Sequence, residues 1–139
     1  MRVHHVATLA LVLSLATACA TATAPRADFG DIPVPEGLAY QPNRSATIES
    51  LNVKAARHIY RGRFEPDSLA AVIRTTLESK GWRQVSGTSA PSQGSTQVYQ
   101  KGNDALQVRV WEGGLFNWYT YVEYAAARVT QGSFSAASR

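Results

Sequence analysis

Cysteine, histidine and charge are all scarce in this chain, and each scarcity removes a class of function. A single cysteine among 139 residues rules out a disulfide framework. Three histidines, two of them at positions 4 and 5, are too few and too badly placed to build a Cys/His metal cluster. Charged residues make up 17% of the chain and apolar ones 45%, which excludes a wholly disordered chain, and the net charge of +4 is an ordinary basic bias rather than a nucleic-acid-binding tail. The longest apolar run stops well short of the roughly 20 residues that a bilayer-spanning helix needs. The length leaves room for one domain of ordinary size and not for two chained catalytic domains.

What is present begins at the N-terminus. Arg2, His4 and His5 precede an apolar run over residues 6–16, the charged and hydrophobic regions of an export signal. The polar, proline-containing stretch 21–28 prevents its extension. Between them, Leu15-Ala16-Thr17-Ala18-Cys19 resembles the lipobox of bacterial lipoproteins. That resemblance implies cleavage before Cys19, a diacylglycerol thioether on its sulfur and acylation of the new amine. Such chains anchor firmly, at about 0.8 kcal/mol per buried methylene. A lone exported thiol, with no disulfide partner, suits the same assignment. Ala20, where an Asp would mark inner-membrane retention, implies the outer membrane, periplasmic side. The other reading is an ordinary signal cut at Ala-Thr-Ala or Ala-Cys-Ala, leaving a soluble exported protein.

The chain then divides into a signal peptide over 1–18, a lipidated proline-rich tether over 19–50, an α+β domain over 51–126 and a disordered tail over 127–139. Pro25, Pro33, Pro35 and Pro42 favour extended backbone in the tether. Ile32, Val34, Leu38 and Tyr40 are apolar, so part of it lies against the domain. Residues 52–64 alternate as a strand, with His58, Tyr60, Gly62 and Phe64 on one face and Arg57, Ile59, Arg61 and Arg63 on the other. Glu65-Pro66-Asp67-Ser68 starts a helix. Leu69, Val72, Ile73, Thr76, Leu77 and the stem of Lys80 form its apolar stripe, and Gly81 stops it. Short strands follow over 82–86, 96–101, 106–111 and 118–124, separated by a polar loop over 87–94 and by a tight Gly102-Asn103-Asp104 turn. The order β-α-β-β-β-β predicts one antiparallel sheet of about five strands with a single helix packed on one face, because hairpin-length links cannot make parallel crossovers.

The lead Ile32-Pro33-Val34-Pro35-Glu36-Gly37-Leu38, then Tyr60-Arg61-Gly62, a helix ending in Gly81-Trp82, and a hairpin closing in Gln100-Lys101 before Val108 and Val110 form a pattern similar to small uncharacterised lipoproteins of Gram-negative bacteria. The helix, Gly-Trp and hairpin portion more weakly resembles the domains of a β-barrel assembly machine lipoprotein. That resemblance implies a scaffold or partner-binding role in the cell envelope.

For chemistry, His58 is the only histidine beyond the signal. One imidazole on a strand supplies neither a zinc set nor a nucleophile's base with its orienting acid. The carboxylates are scattered, and no glycine-rich phosphate loop occurs. The expectation is therefore no catalytic residue, no metal and no cofactor, with an enzyme built around His58 as a remote third reading. A recognition surface is easier to assemble. If the helix covers Leu106, Val108 and Val110, the opposite sheet face presents Arg109, Trp111, Tyr119 and Tyr121, joined by Arg57, Arg61 and Arg63. Arg stacked on Trp and Tyr suits a protein interface. It suits equally a small ligand or glycan stacking on Trp111 and Tyr121, and the bland alternative is cross-strand stabilisation of an exposed face. Leu115 and Phe116 stand at a loop tip where polar residues are usual. They mark contact with a partner or membrane, or else pack back near Ile32 and Val34. The expected partners are a bilayer, through acylated Cys19, and an envelope protein; export leaves nucleic acid out.

Overall fold

Alternating side chains on long strands and one amphipathic helix generate the architecture. The computed structural model describes residue 29, residues 32–90 and residues 93–129. The signal over 1–18, Cys19 and the tail beyond Val129 lie outside the described residues. The elements are β1 Ala39–Tyr40, β2 Ala46–Glu49, β3 Val53–Gly62, α1 Pro66–Ser79, β4 Arg83–Ala90, β5 Gly94–Lys101, β6 Asp104–Gly113 and β7 Tyr119–Val129. They form one sheet in the order β1-β3-β7-β6-β5-β4, with β2 beside β1 on the same edge of β3. Every pairing is antiparallel. The fold is α+β, as expected, but the sheet has seven strands rather than about five.

The additional strands come from the segment read as tether. β1 and β2 are one interrupted edge: Tyr40 pairs with Tyr60 and Ala46 with Arg57, while Pro42–Arg44 leave the ladder as a turn of 3-10 helix. Across the gap Gln41 N–H donates to Ile59 O at 2.8 Å, and the Ser45 hydroxyl accepts from Ile59 N–H at 3.0 Å. A side-chain oxygen thus replaces a backbone acceptor. Ser45→Ala would leave a half-buried N–H unpaired and is expected to cost about 1–3 kcal/mol, read as a lowered denaturant midpoint.

Two other boundaries differ from expectation. The stretch 87–94 is not a loop, because β4 and β5 pair from Arg83–Gln100 to Ala90–Gly94. β4 is an edge strand exposed along most of its length, so it has no apolar face to advertise it. β7 runs on through residues 127–129, assigned above to the tail, with Ala127 opposite Ala55 and Val129 opposite Val53.

Helix α1 begins as its sequence dictates. The Glu65 carboxylate accepts from Asp67 N–H at 3.0 Å and Ser68 N–H at 2.6 Å, and the hydrogen bonds from Ser68 and Asp67 hold its pKa below the usual range. At the other end Trp82 N–H bonds Leu77 O and Gly81 N–H bonds Glu78 O, with Gly81 in the left-handed conformation at φ 84°. Leu69, Ala70, Ile73 and Leu77 face the sheet. Val72, expected in the stripe, is 52% exposed, one position off the buried arc.

One helix is too narrow for so wide a sheet. α1 contacts β4, β5 and β6 over Leu106, Val108 and Val110. The rest of the inner face, beside β3 and β7, is closed by Phe29 and by Ile32, Val34, Leu38 and Tyr40. Phe29 lies under the Arg128 guanidinium at 5.4 Å and Leu38 approaches Gly62, so these two side chains sit toward opposite ends of the sheet. Among the described residues no helix is long and apolar enough to cross a membrane.

The core is rich in tyrosine. Burial, reinforced by Glu78, pushes the Tyr99 hydroxyl up to about 12, and burial pushes that of Tyr124 upward as well. Unfolded tyrosine ionises near 10, so the folded state binds these protons more tightly. Stability fully present below about pH 10 is then lost as the pH rises toward the folded values. The buried Tyr124 hydroxyl has no hydrogen-bond partner. Tyr124→Phe is therefore expected to leave the urea midpoint at neutral pH unchanged or raised, and to reduce its fall at about pH 11.

Candidate functional site

The antiparallel register sorts the residues of interest into rows on the outer face of the sheet, opposite α1. Arg61, Tyr121 and Trp111 form one row, Ile59, Glu123 and Arg109 the next, and Arg57, Ala125 and Gln107 a third. Tyr119 lies opposite Gly113 near the end of the sheet. The structure therefore brings Arg57, Arg61, Arg63, Arg109, Trp111, Tyr119 and Tyr121 onto one face.

Their contacts separate those that are engaged from those that are open. Tyr121 is only 9% exposed. Trp111 stacks on it at 5.6 Å and 15°, and Arg44 covers it at 5.0 Å. This corrects the expectation that Tyr121 is a stacking platform, since a ligand would have to displace Trp111 or Arg44. Arg57 is engaged as well: its guanidinium holds Glu123 Oε2 at 2.6 Å and donates to Arg44 O at 3.4 Å. Arg61 and Arg63 lie over the Tyr119 ring at 4.5 and 5.4 Å. A hydrogen bond from Arg63 and then the charges of Arg63 and Arg61 lower the Tyr119 pKa. Arg109 sits over Trp111 at 5.3 Å and remains exposed. Arg44 was invisible as a site residue in sequence because it belongs to the turn between β1 and β2.

Where this face meets the end of the sheet, a cleft of about 740 Å³ opens. Arg109, Trp111 and Glu112 of β6 form one wall, Glu65, Pro66 and Asp67 at the start of α1 another, and Ala90 and Gly94 the hairpin side. Both signs of charge and one large aromatic face thus share a concave site. The acids of the helix start had an adequate structural explanation as a cap, which concealed their second position in sequence. Elsewhere on the outer face Ala46, Ile48, Ala55, Ala125 and Ala127 line a mostly apolar trough of about 340 Å³, bordered by Arg57, whose guanidinium is engaged by Glu123.

The loop tip is the most exposed apolar feature. Leu115 is 79%, Phe116 76% and Trp118 65% exposed, and the last two rings touch at 6.1 Å between centroids. The first two do not pack against Ile32 or Val34, and Trp118 adds to the tip instead of opening the last strand. Phe116 has φ 59°, a left-handed conformation that costs a non-glycine residue about 1–2 kcal/mol. Because these side chains bury little, Leu115→Ser with Phe116→Ser is expected to change stability by no more than about 0.5 kcal/mol, as a thermal melt would read.

His58 faces the core side of β3, opposite Tyr124 and edge-on to Tyr40 at 5.6 Å. Burial lowers its pKa, and its Nε2 has no partner. Among the described residues no three His, Cys, Asp or Glu side chains gather where they could hold a metal ion. No family model matches the chain, and neither a curated protein nor a solved structure matches it.

Proposed function

We propose that this chain is a lipid-anchored module of the outer membrane, held on the periplasmic side by acylated Cys19, that docks an envelope protein without catalysing a reaction. The observation that carries the docking reading is the cleft of about 740 Å³ that Arg109 and Trp111 line together with the start of α1. Arg and Trp are the side chains that contribute most at protein interfaces, and carboxylates nearby give such a site a polar rim. A photo-crosslinker at position 109 in cells should trap one defined envelope protein. Capture of only abundant, unrelated envelope proteins counts against the proposal.

The anchor is tested separately. Cys19→Ser should abolish incorporation of labelled palmitate, because a hydroxyl cannot replace the thiol in thioether formation. Equal recovery of both forms in the soluble periplasmic fraction removes the anchor from the proposal. The alternative, a small ligand or glycan, is favoured by the exposed Arg109 and the half-buried Trp111 that line the cleft beside Glu112 and Asp67. A ligand stabilises the fold by RT ln(1 + [L]/Kd), so thermal shifts across cell-wall fragments discriminate it.

A further inference from the structure

We infer that Leu115, Phe116 and Trp118 form a wedge that enters the interfacial layer of an anionic lipid bilayer, with Arg61 and Arg63 at headgroup depth. The inference rests on the envelope location proposed above, and it concerns a surface separate from the cleft. The three side chains protrude instead of lining a concavity, and 65–79% of each is open to water. In the isolated protein both this exposed area and the left-handed Phe116 are uncompensated costs.

The order of chemistry with depth points to a bilayer. Leu115 and Phe116 are the most exposed, Trp118 somewhat less so, and the next residue, Tyr119, carries Arg63 and Arg61 over its ring. Apolar tip, then amphipathic aromatics, then guanidinium groups is the order in which hydrocarbon, interface and phosphate succeed one another in a membrane. Glu65, Asp67 and Glu112 line the cleft together with Arg109, whereas the guanidinium groups beside the tip, Arg61 and Arg63, lie over the Tyr119 ring.

The position of the tip has a consequence for orientation. Phe29 lies against Arg128 at the opposite end of β7 from Tyr119. The strand between them spans about 30 Å. The roughly ten residues from Cys19 to Phe29 reach at most about 36 Å. Contact of the wedge with the leaflet holding an acylated Cys19 is therefore within the tether's reach, and an upright domain requires the tether to be nearly fully extended.

The test places the full chain on phosphatidylglycerol-containing vesicles whose acyl chains carry bromine and reads tryptophan emission. A bromine-quenched component should appear, vanish in Trp118→Phe, and fall about tenfold in Leu115→Ser with Phe116→Ser, as the loss of large apolar side chains from a membrane requires. It should weaken on phosphatidylcholine alone. A chain that sediments with the vesicles while Trp118 stays unquenched overturns the inference. So does a photo-crosslinker at position 116 that traps a single protein in cells in place of lipid. Either result leaves the cleft reading standing, and failure of crosslinking at position 109 leaves the wedge standing.

Discussion

Leu77→Ala is expected to destabilise the domain by about 2–5 kcal/mol, a large share of the roughly 5–15 kcal/mol that holds a domain of this size together. Leu77 is completely buried, at the end of α1 that meets Trp82. Its truncation would open a cavity between the helix and the sheet, where the fully buried Leu106 and Val108 are held by strand pairing and cannot collapse into it. The backbone is not the cause: Leu77 O accepts from Lys80 N–H at 3.0 Å and from Trp82 N–H at 3.1 Å in either variant. Val72→Ala on the same helix provides the control, because Val72 is half exposed, and its effect should stay within about 0.5 kcal/mol. Urea titration at constant m-value separates the two. Equal midpoints for the two variants would mean that the buried arc of α1 is assigned wrongly.

The helix and the central strands were legible because burial on one side imposes a period. In α1 the recurrence of Leu69, Ile73 and Leu77 is unmistakable, as is the alternation of Leu106, Val108 and Val110 in β6. Elements stabilised by backbone pairing alone gave no such signal. β4 carries Gly87, Thr88 and Ser89, which read as a loop, yet the ladder to β5 satisfies the backbone groups on that side without any buried side chain. At the end of β7 alanines replace the alternating large residues, and the strand persists because β3 and β6 pair it from both sides. The interrupted edge of β1 and β2 was hidden for another reason. Its continuity depends on the Ser45 hydroxyl, a tertiary contact with Ile59 that no local pattern encodes.

The candidate site was legible in membership and not in state. Strand parity placed Arg57, Arg61, Arg109, Trp111 and Tyr121 on one face, and the register does so. Parity says nothing about which partner covers which ring. Arg44, projected from the 3-10 turn, closes Tyr121, and Glu123 engages Arg57. The open remainder, Arg109 with Trp111, therefore shifts the centre of the site from the middle of the sheet to its end, where the helix start contributes the opposite wall.

Gly94→Ala is expected to cost about 2–4 kcal/mol and to disturb the cleft, through two separate effects at one residue. Gly94 has φ 77°, where an L side chain is strained. Its position also leaves no room: an added Cβ would lie 2.0 Å from Val110 O and 2.9 Å from Trp111 Cα. Both are backbone atoms of β6, so no rotamer change relieves the contact, and either β5 or β6 must move. Gly102→Ala isolates the first effect, since Gly102 has φ 57° with nothing within 4 Å of the added carbon. That variant should lose only the conformational cost of about 1–2 kcal/mol. The difference between the two measures the steric contact of β5 on β6. Because Gly94 lines the cleft and abuts Trp111, its alanine variant should also lose crosslinking from position 109, whereas Gly102→Ala at the far turn should retain it. Equal stability losses for both glycines, with crosslinking intact, would show that the hairpin yields freely and that the cleft does not depend on the close approach of these strands.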